Sequence, residues 1–110
     1  MNILVGGETV LATNGFYLIN SVVEQNINSS ITNTYYFDKD GNMLAGWVKT
    51  NPDNKWYFLE NAKTVREGSM VFGWYKVQND WYYFTQDGSM LTNATTPDGY
   101  AIGSDGRWIQ

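Results

Sequence analysis

Three short elements recur in fixed order along the chain, and this recurrence constrains the fold more than any single residue does. Gly-x-Met occurs as Gly41-Asn42-Met43, Gly68-Ser69-Met70 and Gly88-Ser89-Met90, with successive methionines 27 and 20 residues apart. Gly-Trp follows as Gly46-Trp47 and Gly73-Trp74, each Trp four residues after its Met. An aromatic run completes the unit: TYYF at 34–37, WYFL at 56–59 and WYYF at 81–84. Self-similarity of this kind marks a chain built from stacked supersecondary units, none of which can bury its apolar face alone.

The unequal spacing has a local origin. Trp47 and Trp56 are nine residues apart, but Trp74 and Trp81 only seven. Leu59 and Gly68 are nine apart, whereas Phe37 to Gly41 and Phe84 to Gly88 are each four. Removing two residues from TNPDNK and five from ENAKTVREG reduces 27 to 20. The unit is therefore about 20 residues long, and its insertions fall in polar, loop-like stretches.

Each unit reads as a β-hairpin. GWVKT and WYFLE flank NPDN, and GWYKV and WYYFT flank QND. A polar Asn/Asp turn between two aromatic or β-branched runs is a hairpin signal. DKDG and TQDG then turn the chain toward the next Met. No window of a dozen residues carries a 3.6-residue apolar period. The expected class is all-β, a solenoid of stacked hairpins with little or no helix.

The two ends depart from the pattern. TVLATNGFYLIN predicts a hairpin closed by a type I′ turn at Asn14-Gly15, GFYL reads as a decayed aromatic slot, and NINSS reads as a surface loop. Residues 1–33 are expected to form a divergent N-terminal hairpin or cap, and 34–92 the repeats. Residues 93–110 read as a closing segment, because Asn93-Ala94 stands where the next Gly-Trp would be. Two Asp-Gly turns and a final Trp108 follow.

Composition excludes several functions. The net charge of −4 leaves no basic stripe for a nucleic-acid backbone. With no Cys and no His there is no disulfide framework, thiolate or His-ligated metal site, or Ser-His-Asp triad. No cofactor motif is present. Asp40, Asp53, Asp80, Asp87, Asp98 and Asp105 sit in turn contexts, where local hydrogen bonding favours Asp. DKDGN begins like a calcium loop, but Lys49 occupies the position that needs Glu. Nothing is long and apolar enough to insert in a membrane as a helix. MNILVGGETV lacks a basic n-region, so the leader of an exported protein is expected to have been removed or to belong to a longer parent.

What remains is an aromatic content of 16%. Alternation along a strand puts Trp81 and Tyr83 on one face and Tyr82 and Phe84 on the other. One face can build the stack while the other lines a groove where hairpins meet. Three or four rings around a gap can hold a quaternary ammonium by cation–π attraction, and flat rings also stack on sugars. Rings can equally replace aliphatic residues in a thin core, although an indole N–H then needs a partner.

From Gly46 to Met90 the sequence resembles the choline-binding, or cell-wall-binding, repeat of Gram-positive surface proteins, written Gly-Trp, turn, Trp-Tyr-Tyr, Gly-x-Met. TTPDGYAIGSDGRWI resembles the closing segment of clostridial-type members. The resemblance implies a left-handed solenoid with ligand between consecutive repeats. It implies a cage of Trp47, Trp56 and Tyr83 near Met70, and a second of Trp74 and Trp81 closed by Tyr100 near Met90. Thr34 replaces the first Trp, Phe58 fills a third slot, and the third repeat lacks its Gly-Trp, so at most two cages are complete. The implied function is a non-catalytic module, secreted and held at the bacterial cell surface through choline-bearing teichoic acid or a wall or host glycan. The alternative is a structural or protein-interaction solenoid with decayed sites. The sequence leaves open a homodimer through the open end of the stack.

Overall fold

Among the described residues, ten strands pair two by two into antiparallel ribbons, and every ribbon joins strands that are consecutive in sequence. The computed structural model describes residues 2–5, 8–24, 29–63 and 67–110. The strands are β1 (Asn2–Val5), β2 (Glu8–Leu11), β3 (Gly15–Glu24), β4 (Ser29–Phe37), β5 (Gly46–Thr50), β6 (Lys55–Leu59), β7 (Gly73–Val77), β8 (Asp80–Phe84), β9 (Ala94–Thr95) and β10 (Ala101–Ile102). Among the described residues there is no helix, and the chain is an all-β repeat of hairpins.

The chain divides into two compact units, Met1–Gly46 with Leu59–Met70, and Trp47–Phe58 with Val71–Gln110. The first has a core of Ala12, Tyr35 and Phe37, onto which Tyr17, Ile19 and Met43 pack. The second is built on Phe58, Val71 and Phe84, flanked by Tyr75, Val77, Tyr82 and Met90.

One motif repeats four times. The last residue of each run bridges to the residue after Gly-x: Phe37 to Met43, Leu59 to Met70, Phe84 to Met90 and Ile102 to Trp108. The preceding glycines Gly41, Gly68, Gly88 and Gly106 have φ between 83° and 88°, the left-handed region in which a Cβ is costly. The closing segment is thus a shortened hairpin of the same kind. Asn93 has φ 49° where Gly46 and Gly73 have 85° and 71°, and Asn is the residue other than Gly that best tolerates that region.

The N-terminal expectations need correction. Asn14-Gly15 does not close a hairpin: β2 pairs with β1, and β3 pairs with β4. Asn14 is left-handed at φ 55°, but Gly15 opens to 157°, far from the roughly +90° of a type I′ turn. The amide of Asn14 instead donates to the carbonyl of Asp38 at 3.0 Å. In NINSS, Ser29 and Ser30 belong to β4, where Ser30 opposes Val22; Asn26 to Asn28 lie outside the described residues. β4 runs across position 33 without interruption.

Candidate binding site

Among the described residues, two aromatic hollows lie in the second unit, and the rings of each come from two successive hairpins. Trp47, Trp56, Tyr82, Met90 and Asp105 line one of about 370 Å³. Trp74, Trp81, Tyr100 and Trp108 line another of about 240 Å³. Both are at or near the small end of the roughly 300–1,000 Å³ usual for drug-sized ligands, which suits an ammonium head or a single sugar ring.

Four of the parts correspond one to one, and Asp105 has no counterpart. The Gly-Trp ring supplies Trp47 or Trp74, and the residue that opens the aromatic run supplies Trp56 or Trp81. The second position of the following run supplies Tyr82 or Tyr100, and the residue after the next Gly-x supplies Met90 or Trp108. In the first hollow the Trp47 centroid lies 6.1 Å from Trp56 and 5.0 Å from Tyr82, at interplanar angles of 88° and 73°. In the second, Trp74 lies 6.4 Å from Trp81, 5.8 Å from Tyr100 and 6.3 Å from Trp108, all steeply inclined. Edge-to-face contacts hold rings as walls rather than as a closed stack.

These rings stay partly open to solvent. Trp47 packs inward on Phe58 at 5.2 Å and Phe84 at 5.9 Å, yet it remains 37% exposed. Trp56 and Trp81 are each 38% exposed, whereas Phe37 and Phe84, which fill the core, are at 0% and 1%. In β6 the difference follows position along the strand, with Lys55 and Trp56 at its start exposed and Tyr57, Phe58 and Leu59 buried. In β5, Trp47 and Lys49 face outward while Val48 between them is buried.

The polar surroundings orient the rings. Trp74 Nε1–H donates to Asp98 Oδ2 at 3.0 Å, and the Thr96 hydroxyl donates to Asp98 Oδ1 at 2.6 Å. Those two bonds, that from Thr96 first, hold the Asp98 carboxyl below the usual carboxylate range. At the first hollow Asp105 accepts from the Arg107 amide at 3.0 Å and from Arg107 Nε at 2.7 Å, which likewise lowers its pKa. Burial, and then the charge of Asp80, raise the Tyr82 phenol above its ordinary value. Lys49 Nζ lies 5.9 Å from the Trp56 ring centroid, so that ring already receives one cation.

The structure groups Trp47 with Trp56, and Trp74 with Trp81 and Tyr100. It moves three of the expected residues. Tyr83 is not at the Trp47 hollow: it contacts Trp74 at 5.4 Å and lines a separate polar groove with Thr85, Asp87 and Pro97. The pleat explains the correction, since Tyr83 shares a face with Trp81 of its own hairpin while Tyr82 projects to the side of Trp47. Met70 is buried beside Leu59 in the first unit and lines neither hollow. Met90 lines the Trp47 hollow rather than the Trp74 one. Tyr82, Asp105 and Trp108 escaped the sequence reading. The signal for Trp108 was Gly106-Arg107-Trp108, a fourth Gly-x element ending in a ring instead of Met.

Profiles of the choline-binding repeat match residues 24–63 and 73–108, together more than half of the chain. Over 102 residues the chain is 33% identical to glucosyltransferase-S of Streptococcus mutans, an alignment covering 86% of this chain and 7% of that enzyme. Choline-binding protein F of Streptococcus pneumoniae superposes with TM-score 0.62 at 28% identity, over 99% of this chain and 33% of that one. The choline-binding domain of another Streptococcus pneumoniae protein gives TM-score 0.58 at 31% identity, over 79% of this chain and 92% of that domain.

Proposed function

The chain belongs to the choline-binding repeat family, and on that premise we propose that it is a non-catalytic module that tethers a larger protein to the Gram-positive cell envelope. Its ligand is the choline of wall polymers, received in the two aromatic hollows. The observation that carries this reading is their matched construction. The same four positions of the repeat, taken from two successive hairpins, wall both, and their rings stay partly open to solvent. A trimethylammonium group set against such walls gains about 0.5–2 kcal/mol from each well-placed ring. One hollow alone gives weak binding, and two hollows on one module give retention on a polymer bearing many ligands.

The larger protein's activity lies beyond the chain, which spans 7% of the glucosyltransferase it matches and a third of choline-binding protein F. A wall hydrolase, an adhesin or a toxin-like protein each fits as the tethered partner, and the place of action is the bacterial surface. A purely structural solenoid fits the first repeat better, where Thr34 stands in place of the ring that Trp56 and Trp81 supply. The test is tryptophan fluorescence titrated with choline chloride against sodium chloride at equal ionic strength. A saturable change with choline alone supports the reading. No change leaves glycan stacking or a structural role, which a glycan array separates.

A further inference from the structure

We propose that Asp105 makes the Trp47 hollow more selective for the positive charge of its ligand than the Trp74 hollow, which relies on ring faces alone; the inference rests on the ligand-binding reading above. Among the described residues, Asp105 is the only carboxylate lining either hollow. Its position is fixed, because the Arg107 amide and Nε both donate to it, at 3.0 and 2.7 Å. Arg107 offsets that charge only in part. Arg107 is shared with Asp80, whose Oδ2 lies 3.7 Å from a terminal guanidinium nitrogen, so two carboxylates answer one cation. At the hollow wall the charges of Asp80 and Asp105 raise the pKa of the Tyr82 phenol and that of Arg107 lowers it, so the wall feels two carboxylates against one cation.

The Trp74 hollow is walled by four indole or phenol rings with no charged side chain among them. Asp98 stands at the edge of Trp74, accepting from Thr96 and the indole N–H, and is not among the residues that line the hollow. Besides Arg107, one further opposing charge stands at the first hollow. Lys49 Nζ lies over Trp56 and does not line the cavity, so it weakens the preference for a cation without abolishing it. The two hollows of one module therefore differ in what they discriminate, although the repeat builds them from the same positions.

The experiment compares choline with dimethylbutanol, its uncharged carbon isostere, by following the five indole N–H signals of the 15N-labelled chain. Single Trp→Phe variants assign the signals. The preference for choline over dimethylbutanol is expected to be larger at Trp47 and Trp56 than at Trp74, Trp81 and Trp108. Asp105→Asn, which keeps an oxygen for the Arg107 amide, is expected to cut the preference at the first hollow about two- to fivefold, the range of an exposed ion pair. It should leave the second hollow unchanged. Lys49→Met is expected to raise the preference at the first hollow. Equal preferences at both hollows, or an unchanged ratio in a folded Asp105→Asn chain, overturn the proposal while leaving choline binding intact. If neither compound moves any indole signal, the ligand-binding reading fails and this inference falls with it.

Discussion

The backbone amide of Trp108 donates to the carbonyl of Trp81 at 2.9 Å, and the amide of Met90 does the same to Trp56 at 2.7 Å. Met70 and Thr34 form the third such pair, at 2.8 Å. In each pair, a residue two positions after a left-handed glycine reaches back to the residue that opens the preceding aromatic run. The link is made by backbone alone, so it accepts Met or Trp on one side and Thr or Trp on the other. Registration of one hairpin on the next therefore does not require a ring at these positions. The rings at 56, 81 and 108 are free to serve the hollows.

Trp108→Met is accordingly expected to keep the fold and weaken only the Trp74 hollow. Loss of one exposed ring contact corresponds to about 0.5–1 kcal/mol, or roughly a two- to fivefold rise in Kd. Thermal unfolding should shift little, and signals of Trp47 and Trp56 should titrate with choline as before. Collapse of the β-sheet circular dichroism in this variant would mean that the ring, and not the amide, registers the last hairpin.

The glycines of the Gly-x element carry a stricter demand. Gly106 has φ 86°, and an added methyl would also run into the thioether of Met90. Gly68 has φ 87°, with Met43 Sδ 2.6 Å from where the methyl would sit. Gly106→Ala is expected to cost at least about 1–2 kcal/mol from conformation alone, a fall in Tm of roughly 4–16 °C for a unit of this size. Asn93→Gly, at a position already holding φ 49°, should move Tm far less. Calorimetry on the two variants decides, and equal shifts would refute the conformational argument.

How far the sequence foretold the molecule depends on which signal each element carries. Period-two runs around polar turns identified β5 to β8, and the repeated Gly-x-Met placed the folds of the chain between them. The Asn14-Gly15 turn misled because the dipeptide encodes a local bend and not the partner of the strand that follows. Here β3 found β4 instead of β2. The pairing of Trp47 with Trp56 was legible because both belong to one hairpin. The ring that closes each hollow comes from the next hairpin, and sequence distance does not say which of two adjacent tyrosines faces it. Nor does it say that the Asp-Gly turn at 105–106 would place a carboxylate beside Trp47.

At the second hollow, Asp98 is expected to act as a positioning residue through the Trp74 indole. Asp98→Ala removes the acceptor at 3.0 Å from Nε1 and should weaken choline binding at Trp74 while sparing Trp47. The pH dependence has a definite sign. Because the folded pKa is lowered, the contribution of Asp98 is fully present above the ordinary carboxylate value near 3.9 and is lost as pH falls through the depressed one. The Trp74 indole signal should hold constant from about pH 7 to 4.5 and move only in stronger acid. A midpoint above the ordinary value would contradict the hydrogen-bonded geometry.

The sharpest test of how the hollows are built is to remove each of the two neighbouring tyrosines of β8. Tyr82 stands 5.0 Å from Trp47, while Tyr83 stands 5.4 Å from Trp74 on the opposite face. Tyr82→Ala is expected to abolish detectable choline binding at Trp47 and Trp56 and leave the other indole signals responsive. Tyr83→Ala should leave the Trp47 hollow unaffected and instead loosen Trp74 from its own hairpin, with at most a modest loss there. Each ring also buries apolar surface, so both variants lose stability. The discriminating quantity is which pair of indole signals stops responding to ligand. If Tyr83→Ala silences Trp47 and Tyr82→Ala does not, β8 is pleated in the opposite sense, and the residues assigned to both hollows must be exchanged.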